Sequence, residues 1–268
     1  MHTHIDENGV VRYLGNLMPT KGPSSEWQVF GDVPSQEIIP RSRWKDLVPD
    51  ELNNQHPYAL LDFVHDQNGI GMCNASATAA LVECCRAAAG LPHVPLSGGD
   101  LYRRISGGYD RGSMLEDGLA SAIKSGILPV ADCPYLDWRN NPGKQEVRTQ
   151  YRMLECAICP TFDQFYSALI QGWFGISGVM WYGNYRTDQD GWLPVQGSGG
   201  GGGHALLAYK PTRRGNRFAV WNKNSWTPQW GYRGTCAIPE TGYVGPVGGW
   251  WVGKLVVTEQ GDIPAPKE

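Results

Sequence analysis

The sequence lacks a long block of like charge, a bilayer-length apolar run and a dense cysteine framework. Its 23 Lys and Arg against 26 Asp and Glu leave a net charge of −3, which gives no electrostatic footprint for nucleic acid. The one basic cluster of note, Arg213-Arg214 with Arg217, is short and reads as a solvated turn. No stretch approaches the roughly 20 apolar residues that span a membrane, so no membrane partner is expected. Met1 to Glu7 does not resemble a signal peptide. The expected location is therefore cytoplasmic at synthesis, with packaging in a larger particle left open. Seven cysteines are an odd count without the spacing of a stapled secreted domain. Cys156 and Cys159 form a CxxC pair, but a structural zinc site takes four ligands and no second pair is evident. Ordinary thiols, no metal and no cofactor are expected. His2 and His4 read as part of a mobile terminus.

What is present suits a globular chain, with 41% apolar and 18% charged residues, long enough for one large domain or two lobes of about 100–150 residues. Turn signals divide it into an N-terminal extension (1–37), a helix-rich part (38–160), a strand-rich part (161–258) and a tail (259–268). The extension, with Lys21-Gly22-Pro23-Ser24-Ser25, reads as extended or irregular: a lid, a docking arm with its own partner, or a short inhibitory segment. Small helix formers from Cys73 to Ala89 stop at Gly90 and Pro92. Ser113 and Glu116 have capping-box spacing ahead of Leu119, Ala122 and Ile123, and Thr161 and Gln164 repeat it ahead of Phe165. Short β-type runs follow at 176–182, 205–209, 218–221 and 250–257. The glycine run 197–203, interrupted by Ser198, reads as a flexible loop leading into His204.

The chemistry-bearing segment is Gln67-Asn68-Gly69-Ile70-Gly71-Met72-Cys73, a glutamine six residues before a cysteine that opens a helix. A helix N-terminus presents unpaired N–H groups and positive potential, which favour thiolate over thiol. The Cys73 N–H and the Gln67 amide can converge on the oxygen that gains charge in a tetrahedral intermediate. Taken alone, Cys73 is equally a small buried core residue. His204 follows 131 residues later at the head of an apolar run, and Asn224-Ser225-Trp226 and Trp230-Gly231 come after it.

In order and spacing these residues resemble the papain-like cysteine peptidases. Gln67, Gly71, Cys73, His204, Asn224-Ser225-Trp226 and Trp230-Gly231 carry the resemblance, which extends from about Ile39 to Val257. Leu96-Ser97 before Asp100-Leu101, Ser125-Gly126-Ile127 and Pro134-Tyr135 are weaker matches. The resemblance implies an α+β fold, with a helical left lobe carrying Cys73, a β-barrel-like right lobe carrying His204 and Asn224, and a cleft between them. It implies a cysteine endopeptidase with a catalytic triad: Cys73 as nucleophile, His204 as base, Asn224 orienting the base, and Gln67 with Cys73 forming the oxyanion hole. Gly107 and Gly108 would bind the backbone of a peptide or protein substrate, and Trp226 and Trp230 would line its site, with Trp226 also shielding the His204–Asn224 bond. The chain departs from the family at Asn74, where a tryptophan is usual, at Ile70, where the cysteine of a loop disulfide is usual, and at Gly203, where a polar residue often stands. The first 37 residues show no amphipathic helix pattern, so a helical propeptide of the family's long kind is not expected among them. A structural or binding module of a larger assembly and an acyl transferase or amidase are the rival readings.

Overall fold

A computed structural model describes residues 2–17, 19, 24–50, 63–153, 155–243 and 249–254. The expected tail at 259–268, the end of the expected strand at 255–257 and residues 20–23 of the extension lie outside the described residues. The central helix α2 (Cys73–Ala88) is buried from Cys73 to Arg86. Ala75, Ala77, Ala79 and Ala80 give it a small cross-section, which lets it pass through the core while also burying Asn74, Ser76, Thr78, Glu83 and Arg86. Helices α3 (Gly98–Ser106) and α4 (Leu115–Lys124) pack against it, and α5 (Gln145–Thr149) and α1 (Arg41–Leu47) are short.

The strands β3 (Glu155–Cys159), β4 (Phe174–Tyr182), β5 (Gly201–Arg214), β6 (Arg217–Lys223), β7 (Thr235–Pro239) and β8 (Trp250–Lys254) form an antiparallel sheet in the order β3-β8-β4-β5-β6-β7. It is open, since β3 and β7 lie at opposite edges, so the barrel-like expectation resolves as a six-stranded sheet without closure. The pleat decides which residues meet which helix. From β5, Ala205, Leu207 and Tyr209 join the α2 core, and Leu206 and Ala208 join a second core with α6 (Phe162–Ile170) on the other face. The Thr161–Gln164 capping box forms on α6 as expected. That of Ser113 and Glu116 does not: Met114 is the N-cap of α4, and the Glu116 carboxylate accepts instead from the Trp27 indole at 2.7 Å. Among the described residues no helix is long and apolar enough to cross a membrane. All seven cysteines are free thiols.

Two expectations about flexible backbone are corrected. The N-terminal arm is a hairpin of β1 (His2–Ile5) and β2 (Val11–Leu14), so His2 and His4 lie in an ordered strand. Its turn is built by Asp6, whose Oδ1 accepts from Asn8 N and Val10 N at 2.9 Å, with Gly9 at φ +75°. The glycine run is strand from Gly201 onward, paired with Met180, Trp181 and Tyr182. A Cβ built on Gly201 would lie 2.5 Å from Trp181 O, and one on Gly202 would lie 2.5 Å from His2 Cβ. These glycines serve close approach rather than mobility.

The position of α3 rests on Asp100. Its carboxylate receives Arg148 Nη2 at 2.7 Å and Leu128 N at 3.1 Å in the interior, and the half-buried Arg104 Nη2 at 3.1 Å. Asp100→Ala leaves the buried Arg148 guanidinium uncompensated and is expected to lower stability by about 3–5 kcal/mol. Urea denaturation followed by tryptophan fluorescence measures this, and a loss under about 1 kcal/mol contradicts the assigned role.

Candidate active site

Three consecutive residues after β6 each hold one part of the site. Asn224 Oδ1 lies 2.8 Å from His204 Nε2. An amide oxygen only accepts, so Nε2 carries the imidazole proton and Nδ1 is the basic nitrogen. Nδ1 is buried and makes no hydrogen bond. The Ser225 N–H also donates to Asn224 Oδ1 at 2.8 Å, which fixes the amide. Ser225 Oγ donates to Gln67 Oε1 at 2.7 Å, and Gln67 Nε2 donates to Ile70 O of its own loop at 2.7 Å, which fixes the amide with one N–H left for the arm. Trp226 stacks on His204 at 4.7 Å between ring centroids, and Trp181 meets the same imidazole edge-on at 5.1 Å. Cys73 is the first residue of α2. The backbone N–H of Ala205, next to His204, points at its sulfur, which sets the Cys73 thiol and the His204 imidazole on facing elements.

The N-terminal arm lies across this site as an extended backbone. Gln67 Nε2 donates to Tyr13 O at 2.9 Å, and the Gly15 N–H points at the Cys73 sulfur. Ser113 N donates to Gly15 O at 2.9 Å, Leu17 N to Ser113 O at 3.0 Å and Asn16 N to Gly203 O at 3.0 Å. The fit is one backbone wide: a Cβ built on Gly15 would lie 2.0 Å from Gly71 O, and one on Gly112 would lie 2.2 Å from Gly15 O. The hairpin behind the segment stacks His4 on Trp226 at 5.8 Å and donates from Arg12 Nη2 to Trp226 O at 3.1 Å. Arg12 is paired with buried Asp6 at 2.8 Å, and Glu7 Oε1 accepts from Gly231 N at 2.8 Å.

Closure by the arm sets the electrostatics. Cys73 and His204 are both fully buried. Burial pushes the Cys73 thiol up to about 11, against the opposing pull of the N–H groups of Ala205, Gly15, Asn74 and Cys73 itself. Burial also takes His204 down to about 3, opposed by the Asn224 bond and reinforced by His4. The thiolate expected at a helix N-terminus is thus not the state under the arm, because desolvation exceeds the effect of the oriented N–H groups. Thiol and imidazole rest neutral.

Of the residues the sequence singles out, Cys73, His204, Asn224 and Gln67 are brought together. Gly107 and Gly108 are not: Gly107 is the left-handed C-cap of α3 at φ +68°, and the wall that pairs with the extended segment is Ser113. Trp226 lies under the arm. Trp230 is enclosed by Trp226 at 5.3 Å and Trp181 at 5.8 Å with no exposed surface, which makes it packing rather than cleft lining. Sequence reasoning missed Ser113, His4 and Arg12. A left-handed glycine just before a helix, Gly112 at φ +80°, was the signal available for Ser113, and hidden contacts of the arm gave none.

No family model matches the sequence, and no curated protein matches it. Solved structures do match. Xylellain, a cysteine protease from Xylella fastidiosa, superposes with a TM-score of 0.71 at 21% identity over 91% of this chain and 98% of its own. Procathepsin B from Trypanosoma congolense gives 0.66 at 13% identity over 90% and 86%, and bromelain from Ananas comosus gives 0.58 at 21% over 72% and 93%. The fold is that of the papain-like cysteine proteases.

Closure should depend on pH through the His4 imidazole. Burial is the largest cause lowering His4, helped by Arg186 and opposed by Asp6 and Glu7. Its Nε2 has no partner, with Trp226 and Trp181 against the ring. On opening, the proton that His204 gains comes from Cys73, so that pair takes up none from solution. His4 returns toward about 6.5 in water. Its value is lowered under the arm, so closure present above about pH 6.5 weakens as pH falls below it, by up to tenfold per pH unit. Asp6, held low by Arg12 and two backbone N–H groups against the cost of burial, stays ionised at pH 5. Limited proteolysis of the arm should accelerate from pH 7 to pH 5 with a slope approaching one proton, and His4→Phe should remove the acceleration. A pH-independent rate in the native chain contradicts the coupling.

Proposed function

We propose that the chain is a cysteine peptidase that cleaves peptide bonds through Cys73, His204 and Asn224, and that its own N-terminal arm holds it closed. The observation that carries the reading is the extended backbone of the arm itself. It lies against Cys73 with a carbonyl oxygen on Gln67 and its other polar groups paired with Ser113 and Gly203, as a peptide substrate's backbone would be.

With the arm displaced, His204 Nδ1 takes the Cys73 proton. The oriented N–H groups around the sulfur and the helix N-terminus then favour the thiolate, because water has returned and the burial cost is relieved. Sulfur attacks the scissile carbonyl carbon. The oxygen charge that develops is met by the Cys73 N–H and the Gln67 Nε2 donor that now holds Tyr13 O. The imidazolium, steadied by Asn224, delivers its proton to the leaving amine and a thioester remains. His204 then activates water, which releases the acid and restores the thiol. Asn224 is neutral, so it fixes the ring without adding charge beside the thiolate.

The arm supplies the test. Gly15→Ala places a methyl group 2.0 Å from Gly71 O, so that segment cannot seat. The variant is expected to hydrolyse a fluorogenic peptide at least about tenfold faster than the native chain, a change of about 1.4 kcal/mol in closure. Adding Cys73→Ala should abolish the rate, and Gln67→Ala should lower turnover by about 10–1000-fold with little change in substrate binding. Absence of hydrolysis in Gly15→Ala between pH 5 and 8, with no epoxide adduct on Cys73 by mass spectrometry, overturns the reading.

A further inference from the structure

The slot beside Cys73 has two lips, the loop that ends at Gly71 and the wall at Gly112-Ser113. Only a glycine backbone, that of Gly15, fits between them, so the separation of the lips decides how an extended peptide seats. No cysteine stands in either lip, and the tie between them is polar. Asp110 Oδ1 accepts from Gly71 N at 2.9 Å and from Tyr102 Oη at 2.8 Å, and Tyr102 Oη accepts from Gly112 N at 2.9 Å. Two side chains thus bridge the backbone of one lip to that of the other. The geometry points to Asp110, seated by Tyr102, as a positioning residue that sets the width of the substrate slot.

Each member suits that role. Tyr102 is fully buried on α3 and packs on Trp138 at 5.6 Å, so its hydroxyl is a fixed reference point. Burial and the Asp110 charge keep that hydroxyl protonated, outweighing the Gly112 N–H, and it therefore donates to the carboxylate. A carboxylate accepts from two donors on one oxygen, and charge-assisted bonds of this kind are the stronger class. Asn74 makes the matching tie on the helix side, its Nδ2 donating to Ser113 Oγ at 3.1 Å and to Met114 O at 2.5 Å. The residue after the nucleophile thereby holds the same wall that Asp110 holds from the loop.

The inference rests on the peptidase reading, and the test separates the two. In the full-length chain, the rates at which a peptidyl epoxide with an extended backbone and iodoacetamide modify Cys73 are measured by mass spectrometry. Both reagents wait for the arm to open, so the ratio of rates cancels that equilibrium and reports how well the slot seats a backbone. Asp110→Ala and Tyr102→Phe should each lower the ratio by about tenfold, the scale of one charge-assisted hydrogen bond. Asp110→Asn, which keeps an accepting oxygen, should stay within about threefold of the native chain. An unchanged ratio in both Asp110→Ala and Tyr102→Phe overturns the proposal. If the native chain is alkylated by iodoacetamide and never by the epoxide, the peptidase reading fails. The tie is then judged by amide exchange at Gly71 and Gly112, which must quicken in Asp110→Ala for the proposal to stand.

Discussion

The backbone from Asn224 to Trp226 is where the two halves of the chain and the N-terminal arm meet. Asn224 orients the imidazole of β5, Ser225 anchors the glutamine of the loop before α2, and Trp226 offers its ring to His204 and His4 and its carbonyl to Arg12. A change in the path of these residues moves the His204 imidazole, the Gln67 amide and the arm together. The segment is held on both sides: Asn224 N donates to Gly234 O at 2.9 Å, and Gln67 N donates to Ser225 O at 3.0 Å. The first bond holds the segment within the strand-rich half, and the second ties the loop before α2 to it.

Close approach is the second constraint, and glycine supplies it. Gly15, Gly112 and Gly202 let three backbones and the foot of the hairpin pack at distances that a single Cβ would forbid. A slot made this way holds the arm by its main chain rather than its side chains, since its contacts are N–H and C=O groups. It also excludes water from sulfur and imidazole when filled, and for that reason both rest neutral. The occupant of the slot sets the ionisation of the pair, as well as access to it.

Much of the site was legible because its members sit at fixed offsets in local motifs. Gln67 and Cys73 share one loop and one helix start, and Asn224-Ser225-Trp226 are contiguous. The strand face of His204 follows from the alternation of Ala205, Leu207 and Leu206 about the sheet. What failed was judgement of backbone whose role is decided by distant partners. Ser113 and Glu116 have the spacing of a capping box, yet Asn74 and Trp27 claim their side chains first. Residues 201–203 look like a loop by composition, but β4 on one side and His2 against Gly202 make them strand. Gly107-Gly108 carried the right residue type for a peptide-binding wall and the wrong position, because α3 needed a left-handed cap there.

The strength of closure follows from how the arm is held. Over residues 13–17 the arm makes backbone hydrogen bonds, each worth about 0.5–1.5 kcal/mol net. Ordering each residue costs about 1–2 kcal/mol. The two are comparable, so the segment in the slot does not hold itself there. The hold comes from the hairpin, through the buried Asp6–Arg12 pair, the packing of Leu14 in the second core and His4 on the aromatic wall. Seat and anchor are therefore separate. On the proposed reading, the seat sets which backbone geometry the site accepts, and the anchor sets how often the site is free to accept one. Because His4 and Trp226 form the contact between anchor and site, protons and aromatic packing act on access while the slot geometry at Gly71 and Ser113 is left as it was.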